Sequence, residues 1–541
     1  MDFGRLFNKK IYSFIFLDYT CCLPLNVKIG AITWFFHANA VLLAPGEISQ
    51  SEQKNQWLME QLRLIRKKQF GAFSEKASEE VLEQLSLLFN EAEVFASEET
   101  ENAPAVTVRA HARKKSGNVK DILPKDIPVE VVEHRLPEEA LTCPQCGAQM
   151  TVIGKEIRES LVFKPAEGYL RQDVYYTYAC QTCNDADDST PVVKVPKEPS
   201  VIPGSYASPE AVAHIAVQKF VMCAPLYRQE LDWNRKHIQI SRQTMANWLI
   251  RCAKDWFSPI YIALHKALVG CDILHSDETS IQVLHEDGKT PQSKSSMWLY
   301  RTRAEEEHPI VLYEYRPGKD GEYPKAFLSG FHGYLQTDGA PYYNTVEDVI
   351  HVGCWAHLRR KFEDARNAMP KGKRSPTAEQ GVAYCTKLFE LEKSFQKLKQ
   401  EERKKQRLEQ EKPVLDAMWA WASTRHAAPK SKLGTALTYL RNQWESLNNY
   451  LLDGRIELSN NRAERSIKPF VMSRKNFLFA NTPKGAQSSA VIFSLIETAK
   501  ENGLDPYRYL TWVLLTVPKL DHTQDDWASL LLPWNAPESC K

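Results

Sequence analysis

An apolar run, Leu268 to Leu274, leads directly into His275-Ser-Asp-Glu278. No other feature constrains the chain as strongly, because a buried strand that delivers an acidic pair at its end needs something to neutralise it. A carboxylate there is a natural metal ligand, and it gains meaning when carboxylates remote in sequence reach the same point. Two stretches offer them: Asp338 in Tyr334-Leu-Gln-Thr-Asp-Gly339, and Glu464 in Ser459-Asn-Asn-Arg-Ala-Glu-Arg465. Glu278 ranks behind Asp277, since neighbours on a strand point to opposite faces.

The elements around these residues have a definite order. Strands are expected over Cys271 to Ser276, Ser296 to Arg301 and Pro309 to Tyr315, then a short helix near Pro324 to Leu328, and strands over Gly333 to Thr337 and Asp348 to Gly353. Three strands in meander, a helix, a fourth strand and a fifth flanked by helices is the order of a ribonuclease H-like α/β core, with Asp277 on the first strand and Asp338 just after the fourth. The third carboxylate should come from a later helix. Glu464 supplies it, with Ser459 as cap, Pro469 as limit, and Arg462, Arg465 and Lys468 around the carboxylate. Like charges in contact raise each other's pKa unless a cation intervenes, so the cluster calls for Mg²⁺ or Mn²⁺. Two ions roughly 3.5 to 4 Å apart would support hydrolysis and strand transfer at a phosphodiester.

At 541 residues the chain implies roughly three or four domains. Its 69 basic and 67 acidic residues nearly cancel, so any affinity for nucleic acid must come from local clusters. Of 12 cysteines, Cys143, Cys146, Cys180 and Cys183 form two Cys-x-x-Cys knuckles. Strand-like sequence lies between them, which points to one structural Zn²⁺ in a ribbon and to a reducing, cytoplasmic setting. The apolar stretches within residues 1–50 are too short and too interrupted to span a membrane, and that segment reads as an atypical extension.

The remaining organisation follows in chain order. Residues 51–96 read as an amphipathic, leucine-zipper-like helical segment, 97–128 as a basic linker, 129–200 as the zinc-binding domain and 201–265 as a helical DNA-binding domain. Within the last, a short helix and a helix capped by Ser241 resemble a helix-turn-helix reader, with Arg242, Gln243 and Asn247 on the second helix; a packing subdomain fits equally well. The core occupies 266–364 and 451–495, split by a helical insertion over 365–450, and a helical cap closes 496–541. Glu401 to Lys412 is expected as a solvent-facing charged helix or coiled coil, and Trp419, Trp421 and Trp444 as core.

Further candidates are Arg359, Arg360 and Lys361, Arg462 and Arg465, then Arg474 and Lys475, for contacts to DNA. Cys354 and His357 form a Cys-x-x-His pair, read as a structural or DNA-positioning motif rather than half of a zinc site.

Several long motifs carry a family resemblance: Leu274 to Thr279, Gln336 to Ala340, Gly353 to Phe362, Asn460 to Arg465, Arg474 to Ala480, and the tail Ser494 to Pro506. Together they resemble the transposases of the insertion sequence 66 family, bacterial enzymes of the aspartate-aspartate-glutamate type, over about residues 50 to 520. The resemblance implies an enzyme that binds the inverted-repeat ends of its own element, hydrolyses a strand at each and joins the 3′-hydroxyls to target DNA. Asp277, Asp338 and Glu464 carry over as its metal ligands. Double-stranded DNA is then the partner, a homo-oligomer on DNA is expected, accessory proteins of the same element are candidates, and the place of action is the bacterial nucleoid. The alternatives are a structure-selective nuclease on the same core and a catalytically silent DNA-binding descendant.

Overall fold

The computed structural model describes residues 168–174, 176–179, 192–194, 196–370 and 373–541. The chain divides into two compact units, residues 1–69 with 172–541 and residues 70–171, and nearly all described residues belong to the first. The N-terminal extension, the zipper-like segment, the basic linker and the paired cysteines Cys143, Cys146, Cys180 and Cys183 lie outside the described residues. A two-stranded antiparallel ladder, β1 (Thr177–Ala179) with β2 (Val192–Lys194), precedes the main body. Among the described residues, no helix is long and apolar enough to cross a membrane.

Four helices come first. Ser208 caps α1 (Pro209–Phe220), accepting from the Ala211 amide at 3.1 Å, with proline where a helical N–H would have no partner. Next come α2 (Leu226–Arg235) and α3 (Arg242–Cys252), whose Ser241 cap accepts from the Thr244 amide at 3.1 Å. Met245, Trp248, Leu249 and Cys252 bury one stripe of α3, which leaves Arg242, Gln243 and Asn247 exposed on the other. A π-turn over Ala253–Phe257 leads into α4 (Ser258–Val269).

The sheet is mixed, with five strands: β3 (Ile273–Gln282), β4 (Lys294–Thr302), β5 (Val311–Arg316), β6 (Tyr334–Gln336) and β7 (Ile350–Val352), in the order β5-β4-β3-β6-β7. The meander β3-β4-β5 is antiparallel; β6 and β7 join parallel to β3 after the short helix α5 (Glu322–Phe327). The acidic pair does not end its strand as the apolar pattern suggests. Pairing to β4 carries β3 on to Gln282, although its later residues are polar, because the ladder bonds are made by backbone. The pattern does mark a real event, since within β3 only Ile273 to His275 pair with β6. Asp277 therefore sits just past the point where β3 loses its parallel neighbour.

After β7 come α6 (Trp355–Asn367), α7 (Pro376–Phe395), α8 (Gln400–Gln406), α9 (Lys412–Ser423), α10 (Lys432–Asn442) and α11 (Trp444–Asn448). All of these but α8 contribute to a separate apolar core that includes Trp355, Phe362, Leu388, Met418 and Leu440. Two expectations fail here. Trp419 is 37% exposed and stacks on Trp444 with ring centroids 4.7 Å apart, whereas Trp421, packed on Tyr384 and Phe362, and Trp444, edge-on to Trp355, both pack against the apolar core. The segment Glu401 to Lys412 is not a wholly solvent-facing helix: Arg407 and Glu411 are completely buried. Arg407 explains the burial. Its guanidinium donates to Glu392 at 2.6 and 2.9 Å, and to the carbonyls of Tyr450, Asp453 and Ile456 at 3.0, 3.1 and 2.8 Å. Tyr450 in turn donates to Glu411 at 2.7 Å.

The chain then returns to the sheet with α12 (Asn461–Phe477), α13 (Pro483–Glu501) and α14 (Pro506–Thr516). Asn460, not Ser459, holds the cap position of α12, and its side chain is committed elsewhere. Pro469 does not limit the helix, which runs through it; packing of Ile467 and Phe470 into the core offsets the lost backbone bond. Helix α13 crosses residue 495 unbroken and is buried from Ser488 to Ala499. It lies along the outer edge of β5: the Tyr313 amide donates to Ser494 Oγ at 2.7 Å, the Val311 amide donates to Thr498 Oγ1 at 3.0 Å, and that hydroxyl donates back to the Val311 carbonyl at 2.9 Å. Tyr261 of α4 donates to the Tyr313 carbonyl at 3.0 Å.

Candidate active site

Strand alternation places His275, Asp277 and Thr279 on one face of β3, and α12 lies along that face. Asn460 fixes the start of the helix with three bonds. Its side chain donates to the Ser276 carbonyl at 2.8 Å and accepts from His275 Nδ1 at 3.1 Å, while its amide donates to Cys354 Sγ at 3.1 Å. Burial holds His275 down to about 4, so the ring is neutral, and its Nε2 is buried without a hydrogen bond among the described residues. Farther along, Arg474 donates to the Ser280 carbonyl and, at 3.3 Å, to Thr279 Oγ1. This ties the C-terminal part of α12 to the same strand, so Arg474 is partly spent within the chain rather than displayed to solvent.

One helical turn beyond Asn460, Glu464 comes into the electrostatic neighbourhood of Asp277. Asp338 reaches it from the other side, two residues past the end of β6. The cluster thus gathers at the carboxyl end of the parallel strand pair, the usual place for a site in such sheets. The Asp338 turn is well braced. Its carboxylate accepts from the Ala340 amide at 2.9 Å and its carbonyl from Tyr439 of α10 at 2.7 Å. Gly339 follows at φ +80°, where a Cβ would meet the Gln443 side chain at 2.7 Å, so only glycine suits this turn.

Asp277 carries the electrostatic signature of the site. Burial pushes its carboxyl up to about 8, and the charges of Glu278, Asp338 and Glu464 push the same way, against one bond from the Glu278 amide. Among the described residues no cation pairs with Asp277 or Asp338. Oxygen donors gathered without a counter-charge fit a hard divalent cation, which takes oxygen ligands. Glu278 is engaged on the opposite face: Lys319 donates to it at 2.6 Å, Tyr343 at 2.8 Å, and Tyr342 as well.

The other sequence candidates are spread more widely. Arg360 donates to Glu464 Oε2 at 3.3 Å, and His357 Nδ1 lies 3.5 Å from Glu464 Oε1. Arg359 pairs within its helix with Glu363 at 3.2 Å, and Lys361 stands 4.8 Å from the centre of the Tyr439 ring. Arg462 turns to Glu457 at 2.5 Å instead of to Glu464, while Arg465 and Lys475 are exposed. On α3, Gln243 donates to Asn247 at 3.0 Å on the exposed face, and Arg242 lies 5.5 Å from the Tyr227 ring centre. Cys354 is buried, which raises its thiol to about 11. Reasoning from sequence assigned no role to Asn460, Tyr439 and Gln443; the first lay inside a quoted motif, and nothing local marked the other two.

Comparison with known proteins finds relatives for several parts of the chain. The zinc-finger binding domain of transposase IS66 matches residues 141–184, the Transposase C of IS166 homeodomain family matches 57–132, and the IS66 C-terminal element matches 494–534. Two uncharacterized proteins of Sinorhizobium fredii (strain NBRC 101917 / NGR234) are similar along most of their length. The protein y4hP is 29% identical over 500 residues, covering 87% of each chain. The protein y4jD is 29% identical over 460 residues, covering 82% of this chain and 86% of its own. The Transposase IS66 family itself matches residues 204–488, the span that contains the sheet, the insertion and all three clustered carboxylates, and the chain therefore belongs to the IS66 family of transposases.

Proposed function

We propose that the protein is a DNA transposase with a ribonuclease H-like core, which hydrolyses strands at the inverted-repeat ends of its element and joins the exposed 3′-hydroxyls to target DNA. The observation that carries this reading is the convergence of Asp277, Asp338 and Glu464 at one end of the parallel strands, with Asp277 raised to about 8 by burial and like charge. The antiparallel meander followed by two parallel strands supports the choice of core.

In this reading Asp277, Asp338 and Glu464 hold two Mg²⁺ or Mn²⁺ ions. When bound, such ions supply activation of the attacking hydroxyl and stabilisation of the leaving oxygen. The chain's own residues do the rest. Asn460 sets the height of α12 against β3, Tyr439 and Gln443 fix the Asp338 turn, and Arg360 holds Glu464 in place. Arg465 and Lys475, exposed on α12, and Arg359 and Lys361 on α6 contribute positive charge toward DNA phosphates. Arg242, Gln243 and Asn247 form the exposed edge of a helix-turn-helix-like reader, and Cys143, Cys146, Cys180 and Cys183 hold one structural Zn²⁺, as the zinc-finger match suggests. Action on two DNA ends calls for a homo-oligomer in the bacterial cytoplasm, with accessory proteins of the same element as further partners.

The test is a strand-transfer assay with Mg²⁺ and element-end DNA. Joined products are expected from the wild type and none from Asp338→Ala; equal joining by both would sink the assignment, and cleavage without joining would identify a nuclease instead.

A further inference from the structure

We propose that Cys354, His357 and Glu464 form a second cation site, suited to a soft divalent ion such as Zn²⁺, which draws Glu464 away from the carboxylate cluster when filled. The ligand atoms of these three residues all lie within 4.8 Å of one another. Cys354 stands at the cap position of α6 and His357 in its first turn, a spacing of three that puts both on one side of the helix, facing Glu464 on α12.

Two buried atoms point to an occupant. His357 Nδ1 and Glu464 Oε1 face each other at 3.5 Å, both sealed from solvent, and neither makes a hydrogen bond among the described residues. Buried polar atoms ordinarily find partners, and a cation between this pair would satisfy both. The ligand chemistry selects the ion. Sulfur, nitrogen and one carboxylate oxygen suit Zn²⁺, whereas Mg²⁺ takes oxygen and would favour the Asp277 side of Glu464. On coordination the Cys354 thiol proton leaves to solvent as the sulfur–metal bond forms. The Asn460 amide, 3.1 Å from that sulfur, is already placed to stabilise a thiolate.

Glu464 is the hinge of the device. Its Oε2 is held by Arg360 at 3.3 Å and its Oε1 faces His357, and it is the last of the three like charges that raise Asp277. A filled soft site commits Oε1 to α6, so Zn²⁺ should suppress joining that Mg²⁺ supports. This consequence rests on the transposase reading; the site itself does not.

The experiment is a Co²⁺ titration of the full-length protein carrying one equivalent of Zn²⁺, which the four-thiolate site takes first and which leaves the proposed site open. Zn²⁺ outranks Co²⁺ for thiolate sites, so cobalt leaves the zinc already bound in place and reports added sites only. One equivalent should produce thiolate-to-cobalt charge-transfer absorption in the wild type and in Asp338→Ala. Cys354→Ser should lose it. His357→Ala, altered at a partly exposed residue that the fold tolerates, should need at least about ten-fold more cobalt. No band in the wild type, or the same band in Cys354→Ser, overturns the proposal. Joining with Mg²⁺ is scored separately: a cobalt band without joining sinks the transposase reading and leaves this site standing, and joining without a band does the reverse.

Discussion

The helical insertion and the sheet each bury a group of ionisable residues, and the two are built on opposite rules. In the insertion, Arg407 is surrounded by acceptors that the chain itself provides: Glu392, three carbonyls, and Glu411 close by through Tyr450. Burial raises Glu411 to about 8, so near neutral pH it stays largely protonated, leaving one cation against one anion. At the sheet, Asp277, Asp338 and Glu464 are all carboxyl groups, and among the described residues only Glu464 has a cation beside it, so Asp277, raised to about 8, keeps its proton near neutral pH until a cation arrives. The first group is complete as folded and holds the insertion together. The second is left short of positive charge, as a site that awaits an ion should be.

Four measurements would break or sharpen that contrast. The largest effect belongs to the sheet: Asp277→Ala or Asp338→Ala should reduce Mg²⁺-dependent joining by about 10³-fold or more, with little loss of stability in the metal-free protein. Comparable joining by either variant would remove the functional half of the contrast. In the insertion the effect should fall on stability instead. Arg407→Ala leaves Glu392 and three carbonyls without their donor and should cost about 3–5 kcal/mol in urea unfolding; a loss below about 1 kcal/mol would mean that water replaces the guanidinium.

Asn460→Ala comes next, at about 2–3 kcal/mol, because it strands the His275 ring and the Ser276 carbonyl. It should also weaken joining, and normal joining together with normal stability would show that α12 docks without it.

The smallest effect is the most diagnostic in sign. Folded Asp277 titrates near about 8, against an ordinary value of 3.8. Across that window the folded state keeps a proton the unfolded state has shed, so metal-free stability falls as pH rises toward 8. His275 acts oppositely, since a ring held down to about 4 loses stability as pH drops from 6.5. The comparison therefore belongs between about pH 6.5 and 8, with Glu411 contributing equally to both proteins. There Asp277→Asn should flatten the decline and be the more stable protein without metal, and saturating Mg²⁺ should stabilise the wild type more than the variant. A wild type that gains stability toward pH 8 would show that Asp277 is not raised.

The legibility of the site in the sequence divides along similar lines. The acidic residues could be read because their chemistry is unusual next to apolar strands and because they recur inside long family motifs. Strand alternation ranks Asp277 ahead of Glu278, and the opposite commitments of the two side chains follow that rule. What failed depended on tertiary partners. Pro469 reads as a helix limit until Ile467 and Phe470 are seen packed around it, and Arg407 reads as a surface charge until three carbonyls from a distant loop enclose it. Strand β3 outruns its apolar run because β4, not side-chain polarity, decides where its ladder ends. Tyr439 and Gln443 brace Asp338 from about a hundred positions away, with no local pattern to announce them.

The hydroxyls of Ser494 and Thr498 along β5 have a consequence for copies of the gene that are interrupted. A strand at the margin of a sheet invites pairing with another chain unless something covers it. Here the cover comes from a helix translated long after the strand, so a product that stops before residue 494 carries an open, apolar margin. Such fragments should aggregate rather than persist as soluble competitors for DNA ends, and a broken copy would then fall silent instead of poisoning the intact ones.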